Sequence, residues 1–379
     1  MHVLYILTKL ELGGAQKVCL TLLKGTNGKN ISSSLISGAE GVLVEQAKKS
    51  GSVYLIENFK REVGFKTVFL ELSTFFKMIS YMRKMKKKFP KIVVHTHSTK
   101  AGLMGRWAAL FARVKKRVHT VHGFGFHEHQ SRIGWTINFV LEFLTSFITT
   151  HYVCVSMADR KVGKKLIPRF WKKSSIIRAA VEWEKFLPAT HCESTNCESE
   201  KFIFGTVSCL KPQKNLIHLL KAFKLMHDNL SEENKKKVLL QLIGDGVQRP
   251  MLEKWLEQNN LMHKVDFLGW QSDVSKFTKT WKVFVMSSLW EGLPCAVVEA
   301  RLTKLPVVSY EIAGIPEVIK NGQNGFLVPA GNWELLSKKM RSLLENDLLY
   351  KNLSQHNDDL NDFKNEVMVA NHVKLYQKI

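Results

Sequence analysis

The segment with the clearest chemical potential is 287–294, which reads SSLWEGLP and runs into a stretch with helical periodicity. Glu291 lies in the loop before this predicted helix, and Glu299 lies about one turn inside it. A loop carboxylate could bind sugar hydroxyls, and a carboxylate within the helix could bind the two hydroxyls of a ribose. An acidic side chain near a helix N-terminus also interacts favourably with the helix dipole, so a structural role is the simpler alternative for the pair taken alone.

Lysines and glycines follow other predicted strands in the same half of the chain. Lys211 and Lys214 come just before a predicted helix, where side-chain charge and backbone N–H groups can hold a phosphate together. Gly244 follows a second strand, and Gly269 and Trp270 follow a third. Glycine lets a backbone approach a ligand closely, so these positions are candidates for ligand binding.

Histidines follow two predicted strands of the first half. His95, His97 and Lys100 come after one strand, and HGFGFH, which begins at His122 and ends at His127, comes after the next. Such histidines can donate hydrogen bonds, act as general acids or bind a metal, and a structural role is equally open. A metal site is the weaker alternative, because no carboxylate or cysteine completes a ligand set. The glycines of 13–14 begin another predicted helix, where an anion would also be favoured or a plain tight turn would suffice.

The elements that must position these residues alternate as strand and helix, which indicates an α/β fold with parallel sheets. We predict an N-terminal domain over 1–185, a polar linker over 186–200 and a C-terminal domain over 201–364. An amphipathic helix over 365–379 is expected to pack back on the first domain. Two such βαβ domains joined once would place a cleft between them, and ligands of open sheets bind beyond the carboxyl ends of the strands. The predicted strands are 3–7, 92–95, 118–121, 152–156, 202–207, 238–243, 265–268, 283–286 and 306–309.

The positive charge is concentrated in the first half of the chain. The 379 residues carry a net charge of +23, but 1–190 hold 32 Lys and Arg against 11 Asp and Glu, a net charge of +21. This asymmetry suggests an anionic partner, either nucleic acid, an acidic membrane or a phosphorylated substrate, and a merely solvated basic surface is the alternative. Six scattered cysteines form no disulfide framework, and a reducing cytosol is the simplest compartment.

The segment 133–155 is apolar and long enough to span a bilayer. Glu142 interrupts it, Ser and Thr recur within it, and its last residues are β-branched. These features favour a buried helix followed by a buried strand over a membrane-spanning helix.

Taken in order, the motifs GGAQ, HTHSTKAGLMGR, TVHGFGF, LKPQKN, LIGDG, FLGW and SLWEGLPCAVVEARLTKLPVVSYEIAGIPEVI resemble those of glycosyltransferase family 4. The resemblance spans nearly the whole chain and is most similar to the glycosyltransferases of bacterial capsules and surface polysaccharides. The segment with two glutamates eight positions apart, followed by NGQNG, is its most specific part. It implies a GT-B fold of two Rossmann-like domains, a retaining hexosyltransferase and no required cofactor or metal.

The resemblance also implies roles for individual residues. Lys214 would neutralise the diphosphate of a nucleotide-sugar, Glu299 would bind its ribose, and Glu291 would contact the donor sugar. His122 would either donate a hydrogen bond to the donor sugar or help at the reacting centre. Glu291 as a nucleophile ranks below a front-face mechanism, in which the leaving phosphate helps to deprotonate the acceptor hydroxyl. The further donor-binding positions are Gly14, Lys211, Gly244, Gly269, Trp270, Gly292, Leu293 and Pro294. The acceptor candidates are His95, His97, Lys100, Phe124 and His127.

Two departures from the family pattern affect these expectations. Cys209 stands where the family often has an arginine on the diphosphate, and Lys211 would compensate for that missing cation. The usual Asn-Gly-Val-Asp hinge reads AAVE at 179–182, which makes the interdomain geometry less well defined than the donor motif.

The predicted partners are a UDP-sugar, a polyprenyl-diphosphate-linked or other glycan acceptor, and the anionic inner face of the cell membrane. The alternatives are a GT-B enzyme with a soluble acceptor and a basic nucleic-acid-binding protein. No nucleic-acid partner is expected, because no recognised module is present and the basic residues are not interleaved with stacking aromatics. Basic residues mixed with apolar ones suit a peripheral membrane contact, although solvated helix faces would have the same composition. The candidates for that contact are Arg83, Lys84, Lys86, Lys87, Lys88, Lys164, Lys165, Arg169, Trp171 and Lys172.

Overall fold

A computed structural model describes residues 1–28, 31–60, 68–188 and 201–379. The chain divides into two compact units, Met1–Val181 with Asn361–Ile379, and Glu182–Leu360. Most of the predicted linker over 186–200, with Cys192 and Cys197, lies outside the described residues. Both units are α/β with wholly parallel sheets, which confirms the predicted fold class.

The first unit contains a seven-stranded sheet in the order β3-β2-β1-β4-β5-β6-β7. Its elements are β1 His2–Leu7, α1 Gly14–Thr26, β2 Ser32–Gly38, α2 Val44–Ser50, β3 Ser52–Ile56, α3 Val68–Lys88, β4 Ile92–His97, α4 Thr99–Phe111, β5 Lys116–Val121, α5 Arg132–Ile148, β6 His151–Cys154, α6 Met157–Leu166 and β7 Ser174–Ile176. The central strands β1 and β4 are buried throughout, as expected for strands covered by helices on both faces.

The second unit contains a six-stranded sheet in the order β10-β9-β8-β11-β12-β13. Its elements are α7 Trp183–Phe186, β8 Phe202–Val207, α8 Leu216–Asp228, α9 Glu232–Lys237, β9 Val238–Ile243, α10 Arg249–Gln258, β10 Val265–Phe267, α11 Ser275–Thr278, β11 Val283–Met286, α12 Cys295–Leu302, β12 Val307–Tyr310, α13 Ile315–Val318, β13 Gly325–Val328, α14 Trp333–Glu345 and α15 Asp347–Gln355. Its core is built on aliphatic strand residues and on the inner faces of α8 and α14.

The last helix, α16 (Asn365–Lys378), belongs to the first unit and packs against α1. The two helices approach closely at Gly25, where an added Cβ would lie 2.7 Å from Cγ2 of Val369. Tyr376 places its hydroxyl 3.3 Å from the hydroxyl of Tyr5 on β1 and 2.6 Å from Nδ1 of His95 on β4. Helix α16 is therefore part of the core of the first unit.

The prediction of a buried helix within 133–155 is wrong. Helix α5 occupies that segment, and its apolar residues lie on the exposed face, with Ile133 75% and Phe147 66% exposed. The residues that α5 buries are polar, and they are stabilised by hydrogen bonds: Glu142 pairs with Arg106, and Thr145 accepts a hydrogen bond from Trp107. The predicted strand that follows is confirmed as β6, whose last three residues are buried. Within the described ranges, no helix combines the length and the apolar character needed to cross a membrane.

Candidate active site

The topology of the second sheet identifies where a ligand would bind. Strand β8 has β9 on one side and β11 on the other, so the chain reverses its direction of sheet growth between β8 and β11. In open parallel sheets, ligands bind beyond the carboxyl ends of the strands at such a reversal. The loops that follow β8 and β11 carry Lys214 and Glu291, respectively.

Lys214 and Glu291 form an ion pair at this point of the sheet. Only 15% of the lysine side chain and 10% of the glutamate side chain are exposed. Gln213 Nε2 donates a hydrogen bond of 2.6 Å to the carbonyl oxygen of Trp290 and lies 3.5 Å from Glu291 Oε2. A partly buried cation and carboxylate are thus held together where an anionic ligand would arrive.

Main-chain contacts fix the two loops against each other. The amide of Leu289 donates to the carbonyl oxygen of Gln213 at 2.9 Å. Ser287 Oγ donates to the carbonyl oxygens of Lys214 and Asn215 at 3.1 and 3.0 Å. These bonds position Lys214 without using its ammonium group, which leaves that group available for ionic contacts.

The glutamate-containing loop continues directly into α12. Pro294 is the residue before its first turn, Leu293 is buried, and the carbonyl oxygen of Gly292 accepts a hydrogen bond of 2.9 Å from the amide of Gly314. Glu299 lies in the second turn of α12 and is 7% exposed. The two predicted carboxylates therefore belong to one loop–helix segment beyond β11.

The glycine after β9 is required by its surroundings. Gly244 has a φ of +121°, and an added Cβ would lie 2.1 Å from the carbonyl oxygen of Ser208. Its amide donates to the carbonyl oxygen of Gly269 at 2.8 Å, and the neighbouring Trp270 is 51% exposed. Lys211 precedes the 3-10 turn Pro212–Lys214. The predicted donor-binding positions after β8, β9 and β10 thus occur on adjacent loops.

In the first unit, His97 is the last residue of β4, and His122 comes directly after the neighbouring strand β5. Their ring nitrogens, His97 Nδ1 and His122 Nε2, lie 3.1 Å apart. His97 is fully buried, and among the residues that the structure describes its Nε2 has no hydrogen-bond partner, whereas His122 is half-buried. Burial lowers the pKa of His122 to about 4, so its imidazole is neutral at physiological pH.

The other predicted histidine on β4, His95, is directed into the core. Its Nδ1 lies 2.6 Å from the Tyr376 hydroxyl and its Nε2 lies 2.7 Å from Thr120 Oγ1. Both ring nitrogens are therefore occupied by partners within the unit. Burial, followed by the charges of nearby histidines, lowers the pKa of His95 well below its usual value. His372 on α16 lies beside it, with ring centroids 5.5 Å apart, and burial lowers the pKa of His372 to about 4.

The remaining acceptor candidates occupy separate positions in the first unit. Lys100 pairs with Glu71 of α3, and only 13% of the lysine side chain is exposed. Phe124 stacks on Phe126 with ring centroids 4.7 Å apart, and His127 is half-buried. Gly14 is exposed at the first residue of α1.

The predicted membrane-binding cations have two kinds of surroundings. Arg83 and Lys86 donate to the carbonyl oxygens of Phe111 and Arg113 at 3.3 and 2.8 Å, so they also neutralise the C-terminal end of α4. Trp171 is 42% exposed and lies beneath the guanidinium of Arg160 at 3.8 Å. The other predicted cations are exposed at these positions: Lys84, Lys87, Lys88, Lys164, Lys165, Arg169 and Lys172.

Gln213 is a candidate site residue that sequence reasoning missed, although it stands between the two predicted lysines. Its partners Trp290 and Glu291 lie 77 and 78 positions later in the chain, so no local sequence pattern could indicate these contacts. In the described ranges, no group of three or more His, Cys, Asp and Glu side chains is arranged to hold a metal ion.

Two family profiles match the chain, one on each half. Residues 12–181 match "Glycosyltransferase Family 4", and residues 190–359 match "Glycosyl transferases group 1". The chain is 30% identical to the UDP-Gal:alpha-D-GlcNAc-diphosphoundecaprenol alpha-1,3-galactosyltransferase of Escherichia coli, over 84% of this chain and 81% of the relative. It is 24% identical to the N,N'-diacetylbacillosaminyl-diphospho-undecaprenol alpha-1,3-N-acetylgalactosaminyltransferase of Campylobacter jejuni, over 84% and 87% of the respective chains.

Solved structures agree in fold. The Anabaena protein HepE in complex with UDP and glucose superimposes with a TM-score of 0.81 at 17% identity, over 100% of both chains. A sucrose-phosphate synthase from Thermosynechococcus elongatus does so with a TM-score of 0.81 at 15% identity, over 100% of this chain and 98% of the other. With two parallel-sheet units, both family profiles and a relative matched over most of its length, the chain belongs to glycosyltransferase family 4.

Proposed function

We propose that this glycosyltransferase transfers a hexose from a UDP-sugar to a hydroxyl group of a polyprenyl-diphosphate-linked glycan, with retention at the anomeric carbon. The observation that carries the proposal is the Lys214–Glu291 pair at the reversal point of the second sheet. The names of the Escherichia coli and Campylobacter relatives support a diphosphoundecaprenol-linked acceptor, and that of the former supports UDP.

The chemistry assigns different tasks to the two members of the pair. As the bond from the anomeric carbon to the diphosphate oxygen breaks, negative charge accumulates on UDP and the sugar becomes oxocarbenium-like. The ammonium group of Lys214 would exchange Glu291 for the diphosphate and stabilise that charge. Glu291 would then accept hydrogen bonds from sugar hydroxyls, and Glu299 would bind the ribose.

Retention follows from a front-face displacement in this proposal. The acceptor hydroxyl attacks the anomeric carbon on the side from which UDP leaves, and its proton passes to the leaving phosphate. No enzyme carboxylate needs to form a bond to the sugar. Glu291 would therefore be left to bind sugar hydroxyls once the diphosphate has replaced it beside Lys214.

We assign the acceptor to the first unit, with His122 as the contact nearest the reaction. The Nε2 of His122 is held by His97, so Nδ1 is the atom that it would offer to a substrate. A neutral imidazole suits a hydrogen bond to a sugar hydroxyl better than charge stabilisation. His127 and Phe124 would flank the glycan, and the exposed lysines of α3 and α6 would place the enzyme on the inner face of an anionic membrane.

Donor binding is tested by thermal unfolding in the presence of UDP-, GDP- and ADP-sugars. At a concentration of about 100 times Kd, a bound donor adds about 2.7 kcal/mol to the stability of the folded form. For a unit of this size, that gain corresponds to a rise of about 5–10 °C in Tm. The proposal requires such a rise with a UDP-sugar, and the absence of a response to all three donors would contradict it.

The role of Lys214 is tested by Lys214→Met, with the exposed Lys236→Met as the matched control. Removing one group that stabilises developing charge lowers turnover by about 100- to 1000-fold. The control should retain wild-type turnover. Lys214→Met leaves the Glu291 carboxylate without its cation, which could lower stability as well as turnover. The double variant K214M/E291Q removes both charges, and a Tm equal to that of wild type would show that it is folded. Turnover of Lys214→Met within about threefold of wild type would refute the assignment.

A further inference from the structure

The polarity of α5 is the reverse of that of a helix on the surface of a water-soluble domain. Such a helix normally buries an apolar stripe and exposes polar residues. Helix α5 instead exposes large apolar side chains at helical spacing along one face. They are Ile133, Ile137, Val140, Leu141, Leu144 and Phe147, each between 43% and 75% exposed.

The buried face of α5 is polar and well satisfied. Glu142 receives two hydrogen bonds from Arg106, at 2.8 and 2.7 Å, and one from the Tyr152 hydroxyl at 2.7 Å. Thr145 Oγ1 accepts a bond of 2.9 Å from Trp107 Nε1. These contacts fix the rotation of the helix, so the apolar stripe is held outward by specific bonds.

The exposed apolar surface continues across α4 to α3. A depression of about 290 Å³ lies between the three helices and is lined by Phe75 of α3, Phe111 of α4 and Leu141 of α5. Phe111 is itself 54% exposed. Helix α3 adds four further exposed apolar side chains, namely Phe69, Leu70, Leu72 and Phe76. We call this surface of α3, α4 and α5 the apolar face.

The apolar face is set in a strongly basic part of the chain. Residues 68–148 contain 14 Lys and Arg but only three Asp and Glu. Two of those three, Glu71 and Glu142, are already paired with Lys100 and Arg106. An occupant must therefore present both apolar matter and negative charge, which the interfacial region of an anionic bilayer does.

We propose that the apolar face lies in the interfacial region of an anionic bilayer. Helices α3 and α5 would lie along the membrane plane, their exposed apolar side chains among the acyl chains and basic residues such as Lys84, Lys87 and Arg132 at the lipid phosphates. With 17 residues, α5 is about 25 Å long, which suits a helix lying in the interface. This inference rests on the proposed function only in that an enzyme with a lipid-linked acceptor works at a membrane.

The test compares two triple variants in co-sedimentation with vesicles of equimolar phosphatidylcholine and phosphatidylglycerol. The face variant carries Ile133→Gln, Ile137→Gln and Phe147→Gln. The control variant replaces three exposed apolar residues elsewhere by glutamine, namely Val42, Val247 and Leu348, which are 70–84% exposed against 54–75% for the residues of the face variant. Since each buried apolar side chain contributes about tenfold to partitioning, the three substitutions together should weaken the binding of the face variant by about 1000-fold. The control should bind within about twofold of wild type.

Three results would overturn the inference. The first is vesicle binding by the face variant that equals that of the control. The second is equal binding of the wild type to vesicles of phosphatidylcholine alone, or binding that high salt does not weaken. The third is a wild-type dimer in sedimentation equilibrium without lipid that the face variant converts to a monomer, because a second copy would then cover the face.

Donor binding separates this inference from the proposed function. A UDP-sugar should raise the Tm of the face variant as much as that of wild type, since the substitutions lie outside the donor unit. Loss of vesicle binding with a normal donor response supports both proposals. Loss of vesicle binding in a protein that responds to no nucleotide-sugar supports the membrane surface and refutes the proposed enzyme activity.

Discussion

The buried pair of Arg106 and Glu142 offers the sharpest test of how the first unit is held together. Arg106 is completely buried, and 8% of the Glu142 side chain is exposed. Burial alone would lower the pKa of Arg106, but the carboxylate of Glu142 and the hydroxyl of Tyr152 together raise it above its usual value. The guanidinium is therefore charged in the folded protein, and Glu142 is its counter-ion.

The perturbation is Glu142→Leu, which leaves that buried cation without a carboxylate. Removing one partner of a buried ion pair costs about 3–5 kcal/mol in the free energy of unfolding. The Tyr152 hydroxyl also loses an acceptor, while Thr149 Oγ1 still accepts from Arg106 at 2.9 Å. The double variant R106M/E142L removes both charges, and it should be at least about 2 kcal/mol more stable than the single variant.

The assay is urea unfolding followed by circular dichroism and tryptophan fluorescence. For an m value of about 2 kcal/mol per M, the single substitution should lower the midpoint of the transition of the first unit by about 2 M, with an unchanged slope. A thermal shift by the UDP-sugar reports separately on the second unit. The reasoning is refuted if Glu142→Leu lies within about 1 kcal/mol of wild type, or if the double variant is as unstable as the sum of the two single ones.

Two further predictions follow from burial and from backbone geometry. Burial lowers the pKa of His372 to about 4, so this imidazole stays neutral in the folded chain, while the unfolded chain takes up a proton below about pH 6.5. The contribution of His372 to the free energy of unfolding is therefore fully present above that pH, and about 3 kcal/mol of it is lost as the pH falls to 4. His372→Phe should reduce the pH dependence of Tm between pH 7 and pH 4.5 by about one proton, and an identical pH dependence in both proteins would contradict this. Gly244→Ala should destabilise the second unit by about 3 kcal/mol or more and weaken UDP-sugar binding, because its Cβ would overlap the Ser208 carbonyl oxygen. The control is Gly331→Ala: Gly331 has a φ of +87°, but an added Cβ there would meet no atom of the described residues within 4 Å. This substitution should cost only about 1 kcal/mol, so equal losses of Tm would count against the overlap.

The predicted strands are mostly continuous apolar runs, although β3 (SVYLI) and β13 (GFLV) are also apolar and were not predicted. Strands β8, β9 and β11 occur at the predicted bounds, since each is a short run rich in Val, Ile, Leu and Phe. Strand β2 reads SSSLISG and was missed because serine does not indicate a buried strand. Its serines are accommodated by His2, whose two ring nitrogens lie 2.8 Å from the hydroxyls of Ser32 and Ser34. That partner lies on another strand, so no local pattern could reveal it.

The environment of an apolar stripe is also not encoded by its periodicity. The residues of α5 have helical spacing whether the stripe faces a core or another apolar medium. What decides is the ion pair of Glu142 with Arg106, which lies 36 positions earlier in the chain. The local sequence therefore predicted the helix correctly but not which of its faces is buried.

The predicted residues Lys214 and Glu291 are brought together by strand order. They are 77 positions apart, and they meet because β8 and β11 are neighbours in the sheet. His95 shows the opposite case, because the helix that carries Tyr376 comes 281 positions later and occupies its ring nitrogen. Spacing identified residue types suited to chemistry, whereas long-range packing determined which side chains are available for it.

The contribution of α16 to the first unit has a consequence for synthesis on the ribosome. Tyr5 and Tyr376 share a core contact although 371 positions separate them, whereas the second unit is continuous from Glu182 to Leu360. At about 5–20 residues per second, roughly 10–40 s pass between translation of the last strand of the first sheet and translation of α16. During that interval the cavity beside His95 and Tyr5 lacks its helix, so the second unit can finish folding before the first. A chain released without α16 would expose an incomplete core and become a target for chaperones and proteases.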